Sequence, residues 1–104
     1  MEIKMTEKQF RRLLDLVYIG NWILNSTREK DRFEDYDILQ EKLFALCAKN
    51  GMNALISRWQ GHIFPSSAYE NGGIHEAIAD YEDAVFFDIL AEELARRDLG
   101  CLDS

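Results

Sequence analysis

Apolar residues recur at helical spacing through three long stretches of the chain, and this periodicity constrains the fold more than any other feature. Phe10, Leu13, Leu14 and Val17 repeat every three or four residues and therefore share one helix face. The same spacing returns in two later stretches. The sequence thus predicts an all-α fold, a compact helical bundle in a single domain, 1–104. Its three long helices are expected at about residues 7–25, 32–49 and 74–98.

Short polar motifs mark where these helices begin and end. Thr6 followed by Gln9 fits a capping box, in which Thr6 caps the first helix and Gln9 bonds back to it. Asn50-Gly51 ends the second helix, because glycine is preferred just past a helix C-terminus. Phe64-Pro65-Ser66-Ser67 marks the start of a short helix, because serine is a good N-cap, and Gly72-Gly73 would interrupt that piece.

Residues 52–72 are the least regular part of the sequence, and one or two short helices are predicted there. The apolar residues from Leu55 to Trp59 fit one short helical turn. The alternative over 54–64 is a β-hairpin that turns at Gln60-Gly61. Because a two-stranded hairpin with such short arms is only marginally stable in water, the helix is the favoured prediction.

The charge of the chain is negative and unevenly distributed. The formal net charge is −7, which argues against general binding to nucleic-acid phosphates. Residues 33–104 contain fourteen acids and five bases, and residues 74–95 contain seven acids and no base. Within the latter stretch, Glu76, Asp80 and Asp83 follow one another at helical spacing. They define a candidate acidic binding face.

Several roles are compatible with these three acids. They can be a solvated surface, they can bind a basic partner as an inhibitor or immunity-type protein does, or they can hold a divalent metal in a hydrolase. One helix rarely supplies a whole coordination sphere, and the chain has no Glu-x-x-His motif, so no metal site is predicted. The chain also lacks H-E-x-x-H, G-x-S-x-G and a phosphate-binding glycine loop. We therefore predict no catalytic residue and no cofactor.

A second apolar side on the first helix is the candidate interaction site. Ile19, Trp22 and Ile23 lie opposite the main apolar face of that helix. Burial against another helix of the same chain is one interpretation, and a homodimer contact is the other. Asn21 lies on the main apolar face itself, so it must find hydrogen-bond partners if it is buried.

The sequence indicates a cytoplasmic location. The N-terminal residues lack the apolar run of a secretory signal, and no stretch is long and apolar enough to span a membrane. Cys47 and Cys101 form no C-x-x-C motif, and Cys47 falls on an apolar helix face. We therefore expect Cys47 to be a small core residue and expect no disulfide between the two.

Three segments resemble a family of small bacterial proteins to which no biochemical activity is assigned. They are residues 18–25 (YIGNWILN), 63–67 (IFPSS) and 81–99 (YEDAVFFDILAEELARRDL), in the same order along the chain, and the last is the most specific. The resemblance implies a bacterial, cytoplasmic, all-helical protein. It transfers no catalytic or binding residue.

Together these features predict a small acidic, non-enzymatic helical interaction module. Its expected partner is another protein or a second copy of itself, and neither nucleic acid nor a membrane. The alternatives are an inhibitor or immunity-type protein that binds a basic partner, and a metal-dependent hydrolase that uses Glu76, Asp80 and Asp83.

Overall fold

Helices dominate the structure, a computed structural model that describes residues 1–102, with side chains through Leu99. Helices α1 (Glu7–Asn25) and α2 (Glu34–Ala45) come first and are followed by two 3-10 turns (Ala48–Asn50 and Asn53–Leu55). Strands β1 (Ile56–Trp59) and β2 (His62–Pro65) come next. The single helical turn α3 (Ser67–Tyr69), a π-helical segment (Glu70–Ile74) and helix α4 (His75–Leu102) complete the order. The chain divides into two compact units, Met1–Gly72 and Gly73–Ser104. A single domain stays a prediction.

The first helix has the boundaries that the sequence predicts. Both halves of the capping box are present: the Gln9 N–H donates to the Thr6 hydroxyl over 3.1 Å, and the Thr6 N–H donates to the Gln9 side chain over 2.9 Å. Two N–H groups at the start of the helix would otherwise lack partners, so this local pattern sets where α1 begins.

The other two long helices differ in length from their predictions. Helix α2 ends at Ala45, and the last part of the predicted stretch forms a 3-10 turn that stops at Gly51, whose φ of 71° favours glycine. Helix α4 begins at His75 and continues to Leu102, beyond the predicted residue 98. Just before it, Gly73 has a φ of 113°, which confirms the predicted interruption at Gly72-Gly73.

The preferred prediction for residues 54–64 is wrong, because this segment forms the β-hairpin. Strand β1 pairs antiparallel with β2, with Ile56 opposite Pro65 and Trp59 opposite His62. Gln60 and Gly61 both have positive φ, 49° and 77°, which is the backbone of a tight two-residue hairpin turn. The fold is therefore mostly helical, with a small sheet.

Contacts from outside the hairpin stabilise it. The Glu41 carboxylate of α2 accepts a hydrogen bond from the Ile63 N–H at 2.9 Å and lies 3.1 Å from the His62 ring nitrogen. At the base, the Ser66 hydroxyl donates to the Ala54 carbonyl over 2.6 Å and accepts from the Tyr69 N–H, so of the two serines in the predicted start signal Ser66 is the N-cap. A hairpin that would be marginal alone is thus attached at both ends.

The core of the first unit is small and aromatic. Leu14, Phe44 and Cys47 are fully buried, which confirms the prediction that Cys47 is a small core residue; its thiol is free. The Tyr69 ring packs edge-on against Phe44 at 5.0 Å and against Tyr18 at 5.4 Å between ring centroids. The expectation for Cys101 lies outside the described side chains.

Two tyrosine hydroxyls connect α1 to the segment after the hairpin. Tyr18 donates to Glu70 over 2.7 Å, and Tyr69 donates to Asp15 over 2.8 Å. Burial raises the pKa of both phenols, and the acceptor carboxylates raise it further. Both hydroxyls therefore stay protonated and remain donors at neutral pH.

A buried asparagine fixes the end of α1 to the start of α2. Asn25 is 1% exposed; its side-chain Oδ1 accepts from the Phe33 N–H at 2.8 Å, and its side-chain Nδ2 donates to the Phe33 backbone carbonyl and to Oδ1 of Asn21. Asn21 in turn donates to Asp37 at 3.0 Å and to Gln40 at 3.1 Å. The expectation that a buried Asn21 finds partners is confirmed.

An arginine completes this polar network. The Arg32 guanidinium donates two hydrogen bonds to Asp37, at 2.8 and 2.9 Å, and a third to the backbone carbonyl of Asn25. The Arg32 hydrogen bonds, with help from Asn21, lower the pKa of Asp37. Asp37 is therefore an anion that receives hydrogen bonds from Asn21 of α1 and from Arg32 in the loop between α1 and α2, which fixes where α2 begins relative to α1.

We predict that Asn25→Leu destabilises the first unit by about 1–3 kcal/mol, because the backbone groups of Phe33 lose their buried partners. The free energy of unfolding, measured by urea denaturation, reports this loss. Thr27→Ala, an exposed change two residues away, is the control and should stay within about 0.5 kcal/mol of the wild type. Equal stabilities of the two variants would contradict the role of Asn25.

We also predict that Glu41→Gln weakens the pH dependence of stability on the acidic side. The hydrogen bond from the Ile63 N–H, with that from His62, lowers the pKa of Glu41 below its ordinary value of 4.5. Between pH 4.5 and the lowered pKa, the unfolded chain thus binds more protons than the folded one. The contribution of Glu41 to stability is therefore complete above pH 4.5 and is lost as the pH falls through the lowered pKa. Urea unfolding at several acidic pH values measures the slope, which should be shallower in the variant. An unchanged slope would disprove the contact's contribution.

Candidate interaction surface

Large apolar side chains are unusually abundant on the surface. Among the side chains that the structure describes, nineteen large apolar ones are exposed, whereas eight hydrophobic ones are buried. Single exposed apolar residues are ordinary, but contiguous ones on a small protein mark places where another molecule binds. The question is therefore which of them lie together.

Helix α4 contains the largest group. Phe87, Leu90 and Leu94 are 63%, 41% and 46% exposed and follow at intervals of three and four residues, so they share one side of the helix. A helix whose apolar residues face solvent lacks the packing that normally stabilises it. The exposed large apolar residues of α4 are Tyr81, Phe86, Phe87, Ile89, Leu90, Leu94 and Leu99.

The three predicted acidic residues belong to the same side of α4. Glu76, Asp80 and Asp83 are all exposed. Together with the three apolar residues they form a continuous series with alternating steps of four and three residues, the spacing of a coiled-coil seam. We call this series the α4 face; it consists of Glu76, Asp80, Asp83, Phe87, Leu90 and Leu94.

The described positions of these acids do not match those of grouped metal ligands. No group of three or more His, Cys, Asp or Glu side chains in the described part of the chain is placed to hold a metal ion. The hydrolase alternative, which uses Glu76, Asp80 and Asp83 as ligands, therefore has no geometric support. What the acids supply is a charged, solvent-facing extension of an apolar stripe.

The three predicted interface residues of α1 point to different surroundings: Trp22 towards the aromatic core, and Ile19 and Ile23 towards the surface. Trp22 is half-buried and stacks on Tyr18 at 6.3 Å between ring centroids, so it extends the aromatic core. Ile23 is 61% exposed and Ile19 is half-buried. Sequence reasoning missed Leu16, which is 70% exposed and lies one turn before Ile19. Its regular spacing to Ile19 and Ile23 was the signal that could have revealed it.

The same side of α1 carries basic residues towards its N-terminus. Lys8 and Arg12 precede Leu16 at intervals of four residues and are exposed. They line a shallow surface depression together with apolar side chains that include Met5 and Leu13. We call the series Lys8, Arg12, Leu16, Ile19 and Ile23 the α1 face.

The hairpin presents a further exposed surface that the sequence analysis did not predict. Trp59, His62 and Phe64 lie on its outward side, while Ile56 on the opposite side is buried. The alternation of these side chains was the available signal, but it depends on recognising the strands first.

No helix in the described residues combines the length and the apolar character that are needed to cross a membrane. Comparisons of the chain with protein-family models, with curated proteins and with solved structures find no match.

Proposed function

We propose that the protein is a non-enzymatic interaction module that associates with a second copy of itself through α4. The observation that carries this proposal is the solvent exposure of Phe87, Leu90 and Leu94 on one side of that helix. Fully burying an exposed side chain of this kind is favourable by about 1.5–3 kcal/mol, so covering these partly exposed ones supplies a driving force that offsets the entropic cost of association. No comparable gain is available while they face water.

A second copy is the partner that the charge distribution favours. Residues 1–32 carry seven bases and five acids, whereas residues 74–95 carry seven acids and no base. Each copy therefore offers an acidic apolar face on α4 and, through Lys8 and Arg12, a basic apolar face on α1. Complementary charge accelerates encounter and selects the partner, and reciprocal contacts produce a closed dimer.

The proposal places the protein in a bacterial cytoplasm, with a protein and not nucleic acid as its partner. The fully buried, free thiol of Cys47 supports a reducing compartment. The acidic stretch 74–95 supports a partner other than a polyanion.

A second candidate function is that of an inhibitor or immunity-type protein that binds a basic protein. The exposure of Glu76, Asp80 and Asp83 favours it. The two candidates differ in what the purified chain does alone. The first predicts self-association, and the second predicts a monomer whose binding to a basic protein weakens as salt increases.

We predict that the purified wild-type chain forms a dimer and that Leu90→Asp weakens its dissociation constant by at least about tenfold, since a buried charge replaces an apolar contact. Sedimentation equilibrium over a range of concentrations measures both. The matched control is Ile38→Asp, which places the same charge at an exposed apolar position of α2 and should leave the dimer unchanged. A wild-type monomer at the highest concentration would refute self-association.

A further inference from the structure

We propose that the two copies associate by laying α4 of one along α1 of the other, in parallel, with the α4 face on the α1 face. This inference rests on the proposed self-association and specifies its geometry. A second copy of the chain covers both faces.

The apolar halves of the two faces have the same spacing. Leu16, Ile19 and Ile23 are separated by three and then four residues, and so are Phe87, Leu90 and Leu94. One constant shift therefore aligns Leu16 with Phe87, Ile19 with Leu90 and Ile23 with Leu94. Helices that share this repeat pack along their whole length with side chains interdigitated.

The charged halves then come close to the same register. The same shift places Asp83 beside Arg12, and Asp80 next to Lys8, one helix position away. Opposite charges meet across the contact at both positions. Glu76 falls just before α1 begins, where Lys4 is its nearest base in sequence.

The direction of the helices follows from this charge pattern. In a parallel arrangement the acids of α4 meet the bases of α1, and the apolar residues meet each other. An antiparallel arrangement would place Asp80 and Asp83 against the apolar half of α1, where they would be buried without partners, at a high cost in free energy.

Other charges around the α1 face are compatible with the contact. Arg12 lies 3.3 Å from Asp15, but both side chains retain exposed surface, and Asp15 also accepts from Tyr69. A guanidinium has five donors, so Arg12 can bind Asp15 and a carboxylate of a second copy together. Helix α4 supplies no base within residues 74–95 that would oppose Lys8.

A charge-reversal experiment tests the pairing directly. One variant carries Lys8→Glu and Arg12→Glu, and the other carries Asp80→Lys and Asp83→Lys. Each variant alone places like charges across the contact, so we expect its dissociation constant to rise at least about tenfold. In an equimolar mixture, a contact between one copy of each variant again joins opposite charges. We therefore expect mixed dimers to recover affinity by sedimentation, well above that of either variant alone.

The outcomes separate this inference from the function on which it rests. If the wild type dimerises and Leu90→Asp disrupts the dimer, but Lys8→Glu/Arg12→Glu dimerises normally, the proposed function survives and the α1–α4 pairing is wrong. Failure of the mixture to recover affinity also overturns the pairing. A wild-type monomer overturns both.

A second variant keeps the test valid if charge reversal disturbs folding of α1. Ile23→Asp lies far from Arg12 on α1, and Ile23 is exposed, so the fold should tolerate it. We expect at least about tenfold weaker association, with thermal unfolding of the dilute protein unchanged. Normal dimerisation of the correctly folded variant would refute the α1 face as the docking surface.

Discussion

The side chain of Asn25 specifies how α1 and α2 are placed relative to each other, which the small apolar core cannot do. A hydrophobic cluster holds elements together without specifying their register, whereas an amide that is 1% exposed must satisfy its donors and acceptor at fixed positions. Asn25 does so by bonding both backbone groups of Phe33 and by donating to Asn21, which in turn donates to Asp37 of α2. The position of α2 then fixes Glu41, and Glu41 holds the hairpin. A series of hydrogen bonds that begins at Asn25 thus positions α2 and, through Glu41, the hairpin.

Sequence reasoning succeeded where the signal was local. Thr6 and Gln9 are three residues apart and satisfy each other, and Ser66 caps the turn that follows it. The buried polar role of Asn21 was also predictable, because an amide on an apolar helix face needs hydrogen-bond partners once that face is covered. By contrast, the hairpin depends on Glu41, which is 22 residues away from Ile63 along the chain. Its turn also begins with Gln60, a residue that seldom adopts positive φ.

The interaction surface was predictable in kind but not in detail. The sequence indicated excess apolar residues on α1 and α4, and the acids of α4 were identified as a group. It could not indicate that the Trp22 ring turns towards Tyr18, since that depends on the aromatic core built around Tyr69. The place of Leu16 was readable from its spacing to Ile19 and Ile23, although an apolar residue on a helix is normally assigned to the interior.

The crossed tyrosine bonds have a consequence for the order in which the chain folds. Tyr18 and Glu70 are 52 positions apart, and Tyr69 and Asp15 are 54 apart. During synthesis α1 emerges first and can become helical on its local capping alone, but neither bond can form until residue 70 has left the ribosome. Helix α2 can already pack against the Asn21 end of α1 before then. The part of the core-facing side around Tyr18 stays uncovered until the turn after the hairpin brings Tyr69 against it.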